Sequence, residues 1–191
     1  MNFLKKFWNF VWKSDTPASW IVSIILVFIL VKFVLYPGIG FLFGTTHPVV
    51  AVVSWSMEHE ERYDTWWENN GKWYEENGIS KIQFKEFKFN NGFNQGDIMV
   101  VFGRQSQNIN IGDVLIFQST TNYPVIHRVV NKWDEGDQYF FQTKGDNNVD
   151  SYLQLDEREI SGDRVVGVAN FRVPYLGWIK ILFNRVVGGI I

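Results

Sequence analysis

The stretch Val49-Val-Ala-Val-Val-Ser-Trp-Ser-Met-Glu58 decides how the rest of the chain is read. Its five leading apolar residues run without a break into a Ser-x-Ser-Met turn. That is the pattern of a buried strand whose end presents one hydroxyl at a fixed position. A serine is a weak nucleophile at its ordinary pKa and reacts only when a neighbouring base takes its proton. Ser56 is therefore a candidate nucleophile, provided that the chain supplies a base and a group to orient it.

Working back from this stretch, the chain reads as a membrane anchor. Ser19 to Tyr36 (SWIVSIILVFILVKFVLY) is almost continuously apolar, about 27 Å of helix at 1.5 Å per residue against a hydrocarbon core of roughly 30 Å. Lys32 is its one charge, near the expected end, where its stem can snorkel to the interface. Trp20 and Tyr36 flank the segment as interface anchors. The apolar run exceeds a usual signal-peptide core, and Tyr36-Pro-Gly is no small-residue cleavage site, so an uncleaved anchor is expected. Residues 1–18 read as an amphipathic segment on the cytoplasmic side: Met1 to Lys13, with Lys5, Lys6 and Lys13 among aromatic residues, as a helix on the bilayer surface, ended by Asp15-Thr-Pro17. The positive-inside rule then places the N-terminus in the cytoplasm and residues 37–172 outside. The expected location is the plasma membrane, with a single pass.

Composition narrows the function. Across 191 residues, 18 Lys and Arg face 20 Asp and Glu, a formal charge of −2. There is no basic surplus to bind nucleic acid. Cysteine is absent, which excludes disulfides, thiolate metal sites and a thiol nucleophile. His47, His59 and His127 are too few and too scattered for an all-histidine zinc site. No metal or organic cofactor is implied.

Beyond Met57, residues 59–94 form an insert rich in aromatic residues (Trp66, Trp67, Trp73, Tyr74, Phe84, Phe87, Phe89, Phe93). Its first part, Glu58 to Glu76, reads as helical. Lys81 to Phe89 (KIQFKEFKF) alternates as a strand does. The insert could be a lid or membrane-resting flap beside a cleft, or a surface subdomain that packs its rings on itself. From Gln95 onward short β-branched and aromatic runs follow at Asp97–Phe102, Asp113–Gln118, Val125–Val130, Tyr139–Lys144 and Arg164–Phe171. Turns rich in Gly, Asn and Asp separate them. Residues 173–191 are apolar but interrupted by Lys180 and Arg185, and read as an interfacial segment.

Two further stretches carry polar groups suited to chemistry: Pro124-Val-Ile-His127-Arg-Val-Val and Thr143-Lys-Gly-Asp146-Asn-Asn-Val-Asp150. Each alone has an ordinary explanation, a core histidine and a turn. In order, however, Ser-x-Ser-Met at 54–57, Gly-Asp-Ile-Met-Val at 96–100, Ile-His-Arg-Val at 126–129 and Lys-Gly-Asp-Asn-Asn at 144–148, behind an N-terminal anchor, resemble type I signal peptidase. The histidine before Arg128 is similar to the archaeal and endoplasmic-reticulum branch, since the bacterial branch has lysine there.

The resemblance implies a mainly β, coiled-sheet catalytic domain and a serine endopeptidase that removes signal peptides from secreted preproteins. Ser56 would be the nucleophile and His127 the general base, whose ordinary pKa near 6.5 suits that work. Asp150 would orient the imidazole, with Asp146 as alternative or helper. The Ser56 N–H and the Ser54 hydroxyl would stabilise the oxyanion. The family prefers small residues at the first and third positions before the cut. Expected partners are signal-peptide-bearing preproteins and the bilayer, with the secretion translocon as a further candidate. Trp55 stands where the family usually has glycine. Its ring could line or fill the cleft, which keeps open a non-catalytic membrane-anchored β-domain that binds exported chains. A dedicated serine-dependent processing peptidase is the other alternative.

Overall fold

The computed structural model describes residues 2–120 and 123–188. The chain divides into two compact units, up to Leu42 and from Phe43 onward. Met1 and residues 189–191 of the expected terminal segments lie outside the described residues.

In the first unit, α1 (Phe3–Lys13) ends where Ser14 turns extended, and Thr16 caps α2 (Pro17–Leu30) by accepting from the Ser19 N–H. Pro17 occupies the first helical position, where its missing N–H costs nothing. The chain doubles back here: Ser19 Oγ donates to the Phe10 carbonyl at 2.6 Å and Ser23 Oγ to the Val11 carbonyl at 3.2 Å. Helix continues beyond the expected end at Tyr36. A π-helical turn (Val31–Leu35) leads into α3 (Tyr36–Phe43), with the Tyr36 N–H bonded to the Val31 carbonyl. That wider turn lies just ahead of Pro37, whose ring would clash with a carbonyl in a regular α-turn, so the proline does not end the helix. Residues 17–43 together form one helix long and apolar enough to cross a membrane.

The second unit is built on a seven-stranded antiparallel sheet. Its strands are β1 (Val49–Ala51), β2 (Ile98–Phe102), β3 (Val114–Gln118), β4 (Pro124–Glu135), β5 (Gln138–Lys144), β6 (Ile160–Ser161) and β7 (Val165–Val173). Their spatial order is β1-β2-β7-β3-β4-β5-β6. β3 explains the layering. Val114 and Ile116 join one buried cluster with Val52, Met57, Met99 and Ile126. Leu115 and Phe117 join another with Val129, Phe141 and Val168. A strand covered on both faces reads as an unbroken apolar run, which VLIF is.

The insert corrects one expectation from the sequence. Residues 63–76 are helical (α4, Tyr63–Glu76), but KIQFK is helix as well (α5, Lys81–Lys85), not strand. Ser80 caps α5 by accepting from the Gln83 N–H, and Phe84 is fully buried. Trp66, Trp67, Tyr74, Ile79 and Phe84 close on one another and on Val130 of β4. The insert is thus a self-packed aromatic subdomain fixed to the sheet. Rings at these spacings add edge-to-face attraction to their area burial.

The last helix, α6 (Trp178–Gly188), starts where the Gly177 N–H bonds the Gly96 carbonyl. Gly96 has φ 91°, and a Cβ there would lie 2.1 Å from the Trp178 indole nitrogen, so only glycine admits this packing. Ile181 is buried while Ile179, Leu182 and Phe183 are exposed.

Candidate active site

Ser56 and His127 meet. β1 carries the chain to the Ser54–Met57 turn, and Met57, buried in the core, anchors it. His127 projects from β4, opposite Leu115 of β3. Its Nε2 lies 2.8 Å from Ser56 Oγ. Ser54 Oγ is 3.0 Å from Ser56 Oγ on the other side. The imidazole is nearly inaccessible, while Ser56 is half-buried.

The carboxylate at His127 is not one of those expected. Glu157 Oε1 lies 2.5 Å from His127 Nδ1. Glu157 is fully buried, its Oε1 also accepting from Thr143 Oγ1 at 3.1 Å and its Oε2 from the Tyr152 N–H at 2.7 Å. With Nδ1–H donating to Glu157, the lone pair of Nε2 faces the serine hydroxyl. Asp150 is engaged elsewhere: Trp73 Nε1 donates to it at 3.1 Å and Arg158 Nη2 at 2.9 Å. Asp146 does not touch the imidazole either. It pairs with Arg128, the residue after His127, at 2.9 and 2.6 Å.

Backbone geometry explains the exchange. The Thr143 N–H bonds the Glu157 carbonyl at 2.8 Å, which returns the chain to β5 after the turn at Leu153–Leu155. Asp156 takes a left-handed conformation, φ 53°, immediately before Glu157. Aspartate tolerates this region better than most residues. The only advance sign of Glu157 was a carboxylate beyond a turn-forming stretch, too weak to single it out.

The electrostatics separate into two centres. Burial opposes ionisation of Asp146, but Arg128 and His59 outweigh it and hold its carboxyl well below the usual range. Burial likewise opposes the Arg128 charge, and Asp146 more than compensates. Lys144 is buried and its ammonium is pushed down to about 8, chiefly by desolvation. It lies 4.8 Å from the Tyr74 ring centre and 5.2 Å from that of Trp73.

A cleft of about 320 Å³ opens at Ser56 and His127, lined among others by Val50, Val53, Ile126, Tyr152 and Leu155. Trp55 is not among its lining residues, its side chain is more than half exposed, and its φ is not left-handed. The bulky residue in the family's glycine position therefore neither strains the turn nor fills the cleft.

An apolar helix ahead of a mainly β domain on a seven-stranded antiparallel sheet makes this a signal-peptidase-like architecture, with serine and imidazole in hydrogen-bond contact at a mostly apolar cleft. The chain is 23% identical to the signal peptidase complex catalytic subunit SEC11 of Colletotrichum graminicola over 158 residues, 80% of this chain and 73% of the relative. It is 25% identical to SEC11 of Scheffersomyces stipitis over 158 residues, 80% and 75% of the two chains. Over a shorter stretch of 98 residues, 49% of this chain and 58% of the relative, it is 32% identical to SEC11 of Clavispora lusitaniae. No family model matches. All three relatives are named as catalytic subunits of a signal peptidase complex.

Proposed function

We propose that the chain is a membrane-anchored serine endopeptidase of the Ser-His branch that removes signal peptides from exported preproteins. The observation that carries this reading is the chain of contacts from Ser56 Oγ to His127 Nε2 and from His127 Nδ1 to Glu157. Ser56 Oγ attacks the scissile carbonyl while its proton passes to His127 Nε2. Glu157 stabilises the imidazolium formed and keeps the ring oriented. The Ser56 N–H and the Ser54 hydroxyl donate to the developing oxyanion. His127 returns the proton to the leaving amine, then deprotonates the water that releases the acyl-enzyme.

Aliphatic walls at Val50, Val53, Ile126 and Leu155 suit small apolar side chains before the cut. Holding enzyme and substrate in one bilayer raises their effective concentration. The N-terminus is read as cytoplasmic and the β-domain as lying across the membrane from it. The similarity to subunits of a fungal complex does not favour the plasma membrane over an internal one.

Incubating the purified chain in detergent with a model preprotein tests this. Cleavage after a small residue, abolished by Ser56→Ala, is expected. Retained cleavage by Ser56→Ala would end the serine mechanism.

A further inference from the structure

Asp146 gathers four side-chain hydrogen bonds, and two of them come from the aromatic insert. Its Oδ1 accepts from Tyr74 Oη at 2.9 Å and from Arg128 Nε at 2.9 Å. Its Oδ2 accepts from Arg128 Nη2 at 2.6 Å and from His59 Nε2 at 3.1 Å. The insert also surrounds Arg128: the carbonyls of Lys88 and Phe89 each accept from the guanidinium at 2.9 Å, and Phe84 lies under it with its ring centre 4.7 Å away.

Both ends of this network reach the Ser56–His127 pair through the backbone. Arg128 directly follows His127 in β4. The Asp146 N–H points at Met57 Sδ, 3.4 Å away, and the next N–H, of Asn147, bonds the Ser56 carbonyl at 2.8 Å. A shift of Asp146 therefore moves the nucleophile turn, and a shift of Arg128 moves the strand carrying the imidazole.

Packing alone does not account for the insert's polar groups. The Tyr74 side chain is fully buried in an aromatic cluster where phenylalanine would spare the desolvation of a hydroxyl. That hydroxyl is compensated by Asp146. Burial and the Asp146 charge push the Tyr74 phenol well above its ordinary value, so it remains a donor. His59 is stacked on Trp66, ring centres 3.7 Å apart, which aims its Nε2 at the same carboxylate.

We propose that Tyr74 and His59 are positioning residues: the insert is a clamp on Asp146 and Arg128 that sets the Ser56–His127 distance. This rests on reading Ser56 and His127 as the catalytic pair. Misplacing reacting groups by about 1 Å can cost on the order of a hundredfold in rate, so the clamp acts on turnover and leaves the apolar walls of the cleft in place.

The full chain in detergent, assayed on a model preprotein, tests the clamp. Tyr74→Phe keeps the ring and is expected to lower kcat about tenfold, with KM and the thermal unfolding midpoint near those of the parent. His59→Ala is expected to lose kcat in the same way. His59→Gln, whose amide can still donate to Asp146, should recover most of it. A parental kcat in Tyr74→Phe, or an effect on KM alone, overturns the proposal. If Tyr74→Phe does not fold, the His59 variants decide, and equal kcat in His59→Ala and His59→Gln overturns it. Ser56→Ala is assayed alongside. Its continued activity removes the catalytic pair itself, whereas an inactive Ser56→Ala with an unaffected Tyr74→Phe removes only the clamp.

Discussion

His127 Nδ1 and Glu157 Oε1, thirty positions apart in the chain, lie 2.5 Å from each other in a pocket closed to solvent. Asp146 and Asp150, the aspartates expected at the histidine, are committed to other partners. Glu157→Gln is thus expected to lower kcat by about a thousandfold or more, since the amide no longer stabilises the imidazolium. Asp150→Asn, which loses a half-exposed ion pair to Arg158 while its amide oxygen can still accept from Trp73, should stay within roughly threefold. Steady-state cleavage rates of the two variants check this, and the reverse order of damage contradicts it.

Ser54 offers a second test. Its hydroxyl sits 3.0 Å from Ser56 Oγ, close to where negative charge would develop during attack. Ser54→Ala should reduce kcat by about a hundredfold, the cost of one oxyanion donor, with little change in KM. A parental kcat would leave the backbone N–H as the sole donor from this turn.

Acid stability follows from Asp146. Its carboxyl is held below the unfolded-state value of about 4, so the folded form binds fewer protons there. Its contribution to stability is complete above about pH 4 and falls away as pH drops from that value through the depressed one. Denaturation midpoints recorded between about pH 2 and pH 7 should show this slope in the parent and lose it in Asp146→Asn. An unchanged slope would show that other carboxylates govern acid unfolding.

Lys144 acts in the opposite range. With its pKa near 8 in the folded chain and about 10.4 unfolded, the unfolded state binds more protons between those values. Stability should therefore rise with pH across that window, and Lys144→Met should remove the rise. Denaturant unfolding at about pH 7.5 and about pH 10 in both proteins reads this directly.

The contact between Ser56 and His127 was expected from the family resemblance that four ordered motifs carry, since neither apolar run nor their spacing alone pointed to it. Glu157 was not legible. Its place depends on a left-handed Asp156 and on the Thr143–Glu157 backbone bond, neither of which has a period in the sequence. Four of the β-runs after Gln95 came within two residues of their strands, while β4 ran on past Val130 to Glu135. The alternation of KIQFKEFKF over residues 81–89 misled because it spans a short helix, Lys81–Lys85, and the turns that follow it; the Ser80 cap starts that helix. Pro37 misled in the other direction, since a π-turn ahead of it let the helix continue.

The sharpest test of the paired serine and imidazole is a double-mutant comparison of Ser56→Ala, His127→Ala and the combined variant in single-turnover cleavage of a preprotein. If the two groups act as one unit, each single variant falls to the same residual rate as the double. Independent losses that multiply, or a Ser56→Ala chain that still cuts at the parental rate, would contradict the account.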